Sequence, residues 1–431
     1  MNEQVTKKNF YAWIILFCAV LMNLIFLGLA WNTNQLYFSF ILNDNPDFTR
    51  TAMMLTVTLA GLANTGFSLV FGKISKKLGV KMVILLGVIC AVVSMFLYSI
   101  SSNLPMFYIA AFLVGTSIAF ATTTTTAVLI NTWFAKRTGT ILSIATTFSG
   151  FGGLIFPKLV TGWCVNLGWN ISFRYSGIVC LVAGVVLLLL VRIKPENMGL
   201  RPLWAENVED TAATAGGIPA EPPGLTMSQA KKTKNLWFLF IMYFFMGWII
   251  YAVQQSTALY TATLGYSPEQ VAGVVQALFL GNMIAQIPLG MLADKFGVRK
   301  VLPTGLVVFT IGLVLLIVPN AGLMRLSIVG FIVGASVVLM AGFLPIVIRE
   351  VFGLKDYAGI LGNGIAARTI GIAIGPPLHN LVYDLLGSYQ AAFVAYVAVM
   401  LGCIVLALFG TKKIALTQTQ EQAYGSNPAK T

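Results

Sequence analysis

Acidic residues are scarce in this chain: 14 Asp and Glu stand against 27 Lys and Arg, with a single histidine, in 431 residues. Charged residues make up 10% of the sequence, where a soluble globular domain carries about 25%. An ordinary water-soluble fold is excluded. All 14 acids fall in connections, termini or the ends of apolar runs, so none joins the one histidine, His379, in a buried catalytic set. With no metal-ligand spacing either, an enzyme, a metal site and a bound cofactor are not expected. The five cysteines, Cys18, Cys90, Cys164, Cys180 and Cys403, lie in or beside apolar runs with no paired spacing. They read as packing residues, which excludes a disulfide or zinc framework.

What the chain has instead is length of apolar sequence: 58% hydrophobic residues and a mean hydropathy of +0.85. Twelve spans are expected, at 11–34, 51–72, 82–101, 105–130, 138–163, 174–192, 236–262, 268–290, 300–318, 322–347, 357–384 and 390–411. Each has about the 17–25 apolar residues that a tilted helix needs to cross a bilayer. The first run exceeds a signal-peptide core and lacks a small-residue cleavage site, so it reads as a span. Residues 1–192 and 235–413 form two six-span halves, 193–234 a polar, Pro/Gly-rich linker, and 414–431 a tail. Leu225 to Lys234 is expected to form a short basic surface helix. Of the 27 Lys and Arg, only Arg50, Lys158, Arg174 and Arg325 fall on one side and Arg368 between; the rest share the other side. Such asymmetry places that side, with both termini, in the cytoplasm. The formal charge of +13 thus reports topology in a multi-pass inner-membrane protein and not a nucleic-acid partner. The bilayer is the expected partner, with the chain monomeric.

The halves repeat each other. Gly72-Lys-Ile-Ser-Lys-Lys-Leu-Gly79-Val-Lys81 matches Gly290-Met-Leu-Ala-Asp294-Lys-Phe-Gly297-Val-Arg299 at an offset of 218, where Phe134 also meets Phe352 and Gly153 meets Gly371. Parallel six-span repeats are the plan of one transporter class. Gly290 to Lys300 resembles the loop motif of the major facilitator superfamily, G-x-L-x-D-[RK]-x-G-[RK]-[RK]. The resemblance implies an all-α membrane fold of twelve helices and makes Gly290, Asp294 and Arg299 gating residues, with Gly72 and Lys76 their counterparts. Lys76 departs from the pattern: it stands in the aspartate position, where it can neither accept hydrogen bonds nor favour a helix N-terminus. Asn9-Phe-Tyr-Ala-Trp13, Phe48-Thr-Arg50, Asn131-Thr-Trp-Phe-Ala-Lys-Arg137, Pro195-Glu-Asn-Met-Gly-Leu200 and Phe352-Gly353 are similar to the branch that holds monocarboxylate transporters and the oxalate/formate antiporter.

Arg368 is the candidate substrate residue. It lies about 15 Å along a helix beginning near Ala358, near the middle of a hydrocarbon core of roughly 30 Å. An arginine at that depth is costly unless it faces a polar interior, and no other span supplies a buried carboxylate to pair with it. The branch resemblance implies the same choice, since a basic residue can follow Phe-Gly by fifteen positions there. It also implies a charged pair on the eighth helix and a lysine on the first, where this chain has Asn282, Gln286 and Gln35. These amides have two readings, ligand binding or bonding between helices. The fold implied by the resemblance lines its cavity with the first, fourth, seventh and tenth helices. They offer Trp31 and Gln35, the Thr122–Thr126 run with Thr123, and Tyr251 and Gln254, while threonines also bond back to their own backbone. Small Ala335 and Ser336 on the tenth hint at a roomy pocket. The function expected is transport of a small organic anion, a monocarboxylate, by alternating access. The alternatives are carriage of a bulkier amphipathic acid, or a sensor that binds without transport.

Overall fold

The computed structural model describes residues 2–204, 224–319 and 322–412, the side chains of residues 2–9, Thr123 and Asn197 left aside. Within them, twelve helices are long and apolar enough to cross a membrane. They are α1 (Phe10–Asp44), α2 (Arg50–Leu78), α3 (Val80–Ile100), α4 (Leu104–Trp133), α5 (Thr138–Leu167), α6 (Trp169–Leu190), α7 (Lys234–Thr263), α8 (Pro268–Phe296), α9 (Val298–Ile317), α10 (Leu323–Phe352), α11 (Tyr357–Leu386) and α12 (Gln390–Gly410). All twelve apolar runs of the sequence are helices. In hydrocarbon only a helix or a closed barrel satisfies its own backbone, and nothing in these runs alternates as a barrel strand would.

Several helices outrun their apolar stretches, because backbone hydrogen bonding continues until a residue forbids it. The two copies of the loop motif are therefore mostly helix, with the junction between helices confined to one residue. α2 runs to Leu78 and α8 to Phe296. Each ends on a glycine, Gly79 at φ +82° and Gly297 at φ +77°, a region closed to residues with a Cβ. Their N–H groups donate to Ser75 and Ala293 at 2.9 and 2.8 Å, and the next helix begins one residue later. α11 passes unbroken through Pro376-Pro377.

Three of the helices expected to line the cavity are interrupted. α1 widens to a π-helix over Asn23–Leu29 and turns through Trp31 to Thr33 before resuming at Asn34. α4 breaks at Thr122, which has φ −133° and ψ −102°, and α10 divides at Gly342. α7 runs through Lys234–Thr263 without interruption.

Two compact units divide the chain, Met1–Gly216 with Ser256–Leu280, and Gly217–Gln255 with Gly281–Thr431. In the first, α1 crosses α5 where a Cβ on Gly28 would lie 2.8 Å from the Gly152 Cα. In the second, α7 crosses α11 where a Cβ on Gly371 would strike the Phe244 carbonyl and one on Gly375 would come within 2.5 Å of the Trp248 carbonyl. Both glycine groups are thus close crossings, in which small residues let backbones approach. At one end of the first unit Tyr37 and Phe173 stack at 3.7 Å, and Trp169 donates to Asp44 at 2.7 Å.

Both described ends of the connection between α6 and α7 are pinned at repeat-related places. Leu203 bridges to Phe134 in the first unit and Gly224 to Gly353, beside Phe352, in the second. A single helical turn, Met227–Ala230, follows with a Thr226–Gln229 capping box, and the Met227 N–H donates to Asp356 at 2.9 Å.

Candidate functional site

In the second unit α11 brings Arg368 to the α7 crossing. A Cβ on Gly247 would meet the Arg368 carbonyl and lie 3.2 Å from its Cγ, so glycine alone lets α7 approach this side chain. One guanidinium nitrogen points at the Met340 carbonyl of α10 at 3.5 Å, the outer limit of a hydrogen bond. Met340 lies two residues before the division at Gly342. The Nε of Arg368 is buried with no hydrogen-bond partner among the described residues. On α7, Tyr243 is fully buried with its hydroxyl also unpartnered, within electrostatic range of Arg368. Each thus has a buried donor atom without a partner among the described residues. Tyr243 was not legible as a candidate, since one tyrosine in an aromatic span gives no signal until its neighbour is known.

Asn282 and Gln286 sit one turn apart on α8. Gln286 donates to the Asn282 carbonyl and Asn282 to the Gly334 carbonyl of α10, both at 3.4 Å. Long bonds between and along helices are the second of their two readings, and among the described residues neither bonds Arg368. On α7, Tyr251 is half-buried and hydrogen-bonded or ring-packed. Gln254 is buried, with its carbonyl oxygen unpartnered.

Within the first unit, Trp31 lies half-buried in the turn that interrupts α1. Asn32 beside it donates to the Ser149 carbonyl of α5 at 2.9 Å. Gln35 is buried; its carbonyl oxygen accepts from the Ala258 N–H at 3.4 Å, while its amide nitrogen has no partner. Asn23, which the sequence reading passed over, donates to Thr126 across α1 and α4 at 3.0 Å. Thr122 and Thr125 hydrogen-bond back to their own helix at Ile118 and Phe120, the structural reading of that run. The Thr123 side chain lies outside the described residues.

The small pair on α10 behaves differently from its sequence reading. Ala335 and Ser336 line an apolar cleft shared with α8 and α9, so their small size does not enlarge a pocket at Arg368. His379 is buried, with both ring nitrogens unpartnered. It stacks on Tyr389 at 4.7 Å and Tyr396 at 5.4 Å, with Phe393 at 5.5 Å. That is an aromatic packing position. The gating candidates Lys76, Asp294 and Arg299 are exposed, with Gly72 exposed and Gly290 half-buried, around the Gly79 and Gly297 turns.

A twelve-helix membrane chain built as two repeats, with buried polar atoms unpaired among the described residues, has the architecture of a membrane transporter. A model of the Major Facilitator Superfamily matches residues 12–280 and again residues 259–428, and the chain belongs to that family. It is 29% identical over 199 residues to a "probable hexose phosphate transport protein" of Chlamydia muridarum, covering 43% of each. It spans about half the length, or less, of the first such relatives. Monocarboxylate transporter 13 of Rattus norvegicus is 24% identical over 403 residues, 91% of this chain and 87% of its own. A solved nucleoside transporter superposes with a TM-score of 0.72 at 10% identity, over 92% of this chain and all of its own, and shares the fold.

Proposed function

We propose that this chain moves a small organic anion, a monocarboxylate in the first place, across the membrane by alternating access, with Arg368 holding the carboxylate. The observation that carries the reading is the unsatisfied guanidinium. Arginine has five N–H donors and cannot be deprotonated. Among the described residues its Nε is buried without a partner, and the hydrogen bond to Met340 is at the limit of length. Leaving a buried charged donor unpaired costs several kcal/mol, and a carboxylate would recover that through two parallel N–H···O bonds. Tyr243 would add a third donor. A single fixed cation suits one carboxylate better than two. Asp294, Lys76 and Arg299, with Gly72 and Gly290, would act at the helix turns as gating residues. Trp31, Gln35, Thr123, Tyr251 and Gln254 remain candidates for substrate contact.

The relatives support an anion, since the monocarboxylate and the hexose phosphate they are named for are both negatively charged. They also favour a second reading, a phosphorylated sugar, because a guanidinium fits phosphate in the same planar way. Uptake into proteoliposomes separates the two. Radiolabelled monocarboxylates of graded size, bulky amphipathic acids and a hexose phosphate would be compared with and without a pH gradient. Saturable monocarboxylate flux is expected, which a second monocarboxylate inhibits and hexose phosphate does not. Flux of neutral solutes untouched by any anion would overturn it, and binding without flux would assign a sensor.

A further inference from the structure

We propose that the cleft between α8, α9 and α10, at their Gly297 end, binds an anionic phospholipid, with one acyl chain in the cleft and the phosphate at Lys300 and Lys295. The cleft holds about 400 Å³ and is walled by Leu292 and Phe296 of α8, Val308 of α9, and Ile332, Ala335 and Leu339 of α10. That is within the range of roughly 300–1,000 Å³ that accommodates a small ligand. Glycine shapes its floor, since a Cβ on Gly305 would strike the Leu339 side chain. The two hydroxyls in the lining are already used. Ser336 donates to the Ile332 carbonyl at 2.7 Å, and Thr304 to the Lys300 carbonyl at 2.8 Å.

Away from the Lys300 mouth the wall therefore has no free hydroxyl proton to donate to a polar solute, whose desolvation there would be poorly compensated. A hydrocarbon chain loses nothing on entering and restores dispersion contacts that a void forfeits. Leu292, Phe296 and Val308 are 40%, 48% and 45% exposed, so the mouth opens sideways onto the surface these helices present to the acyl region. The charge of the mouth selects the headgroup. Lys300 lines the cleft, the Lys295 ammonium sits 5.3 Å over the Phe296 ring, and Arg299 lies between them in sequence. Cations at such a position reach the headgroup level along their apolar stems. Each contributes about fivefold to the affinity for an anionic lipid.

The purified chain in detergent tests this with two lipids of matched acyl chains, phosphatidylglycerol and phosphatidylcholine. Native mass spectrometry counts retained lipid, and thermal unfolding reads the stabilisation. The wild type is expected to retain phosphatidylglycerol in preference. Lys300→Gln is expected to weaken that retention about fivefold while leaving phosphatidylcholine unchanged. Val308→Trp, which fills the mouth from the exposed side, is expected to abolish retention of one equivalent with an unchanged melting temperature in lipid-free detergent. Equal retention of the two lipids, or retention indifferent to both substitutions, would overturn the proposal. So would a dimer whose formation buries Val308 and excludes lipid.

Discussion

At the scale of single residues, two basic side chains on one helix contrast, Arg368 half-buried and His379 fully buried. Arg368 keeps a charge in a place where its donors are not spent, whereas His379 is an imidazole sealed among three aromatic rings. A neutral imidazole still carries one N–H and one lone pair, and both are without a partner here. Removing an unpaired donor and acceptor together, with shape retained, is neutral or favourable. His379→Phe is thus expected to leave flux intact and to keep or raise the melting temperature. Loss of transport together with a flattened pH profile in that variant would show that the ring relays protons.

Among the elements, the helices were legible and their interruptions were not. Twelve apolar runs of spanning length define twelve helices almost regardless of detail, because the bilayer allows little else. The π segment of α1, the break at Thr122 and the division at Gly342 depend on which polar atoms neighbouring helices supply. Asn23, for instance, is satisfied partly by Thr126 on another helix. Hydropathy likewise did not show that the motif copies are helical up to Gly79 and Gly297. Nor could it assign Ala335 and Ser336 to the α9 side of α10, since the sequence alone does not say which face a neighbour covers. The glycine crossings, by contrast, have a sequence signal, the closely spaced Gly150–Gly153 and Gly371–Gly375 groups, and they carry a prediction. Gly371→Val places a branched side chain against the Phe244 carbonyl, which the backbone of α7 cannot vacate. Overpacking of this kind costs about 1–3 kcal/mol, so the variant is expected to insert in reduced amount and melt lower. Wild-type yield and stability would mean that the crossing is loose.

For the molecule as a whole, charge asymmetry is the argument for orientation. Most Lys and Arg lie at one set of helix ends, which predicts that this set faces the cytoplasm. A membrane-impermeant thiol reagent reads this directly. Ser102→Cys, exposed between α3 and α4, is expected to label on intact cells, and Lys194→Cys, exposed after α6, only after permeabilisation. The reverse pattern would invert the topology.

The central claim is that the open donors of Arg368 are kept for a carboxylate, and ligand-induced stabilisation of purified variants tests it most directly. In the wild type, a monocarboxylate is expected to raise the melting temperature in a concentration-dependent way. Arg368→Gln is expected to lose the rise while folding normally. Arg368→Lys, which keeps the charge but not the planar fork, should retain a rise at about tenfold higher ligand. Full stabilisation of the glutamine variant by the same monocarboxylate would contradict the account.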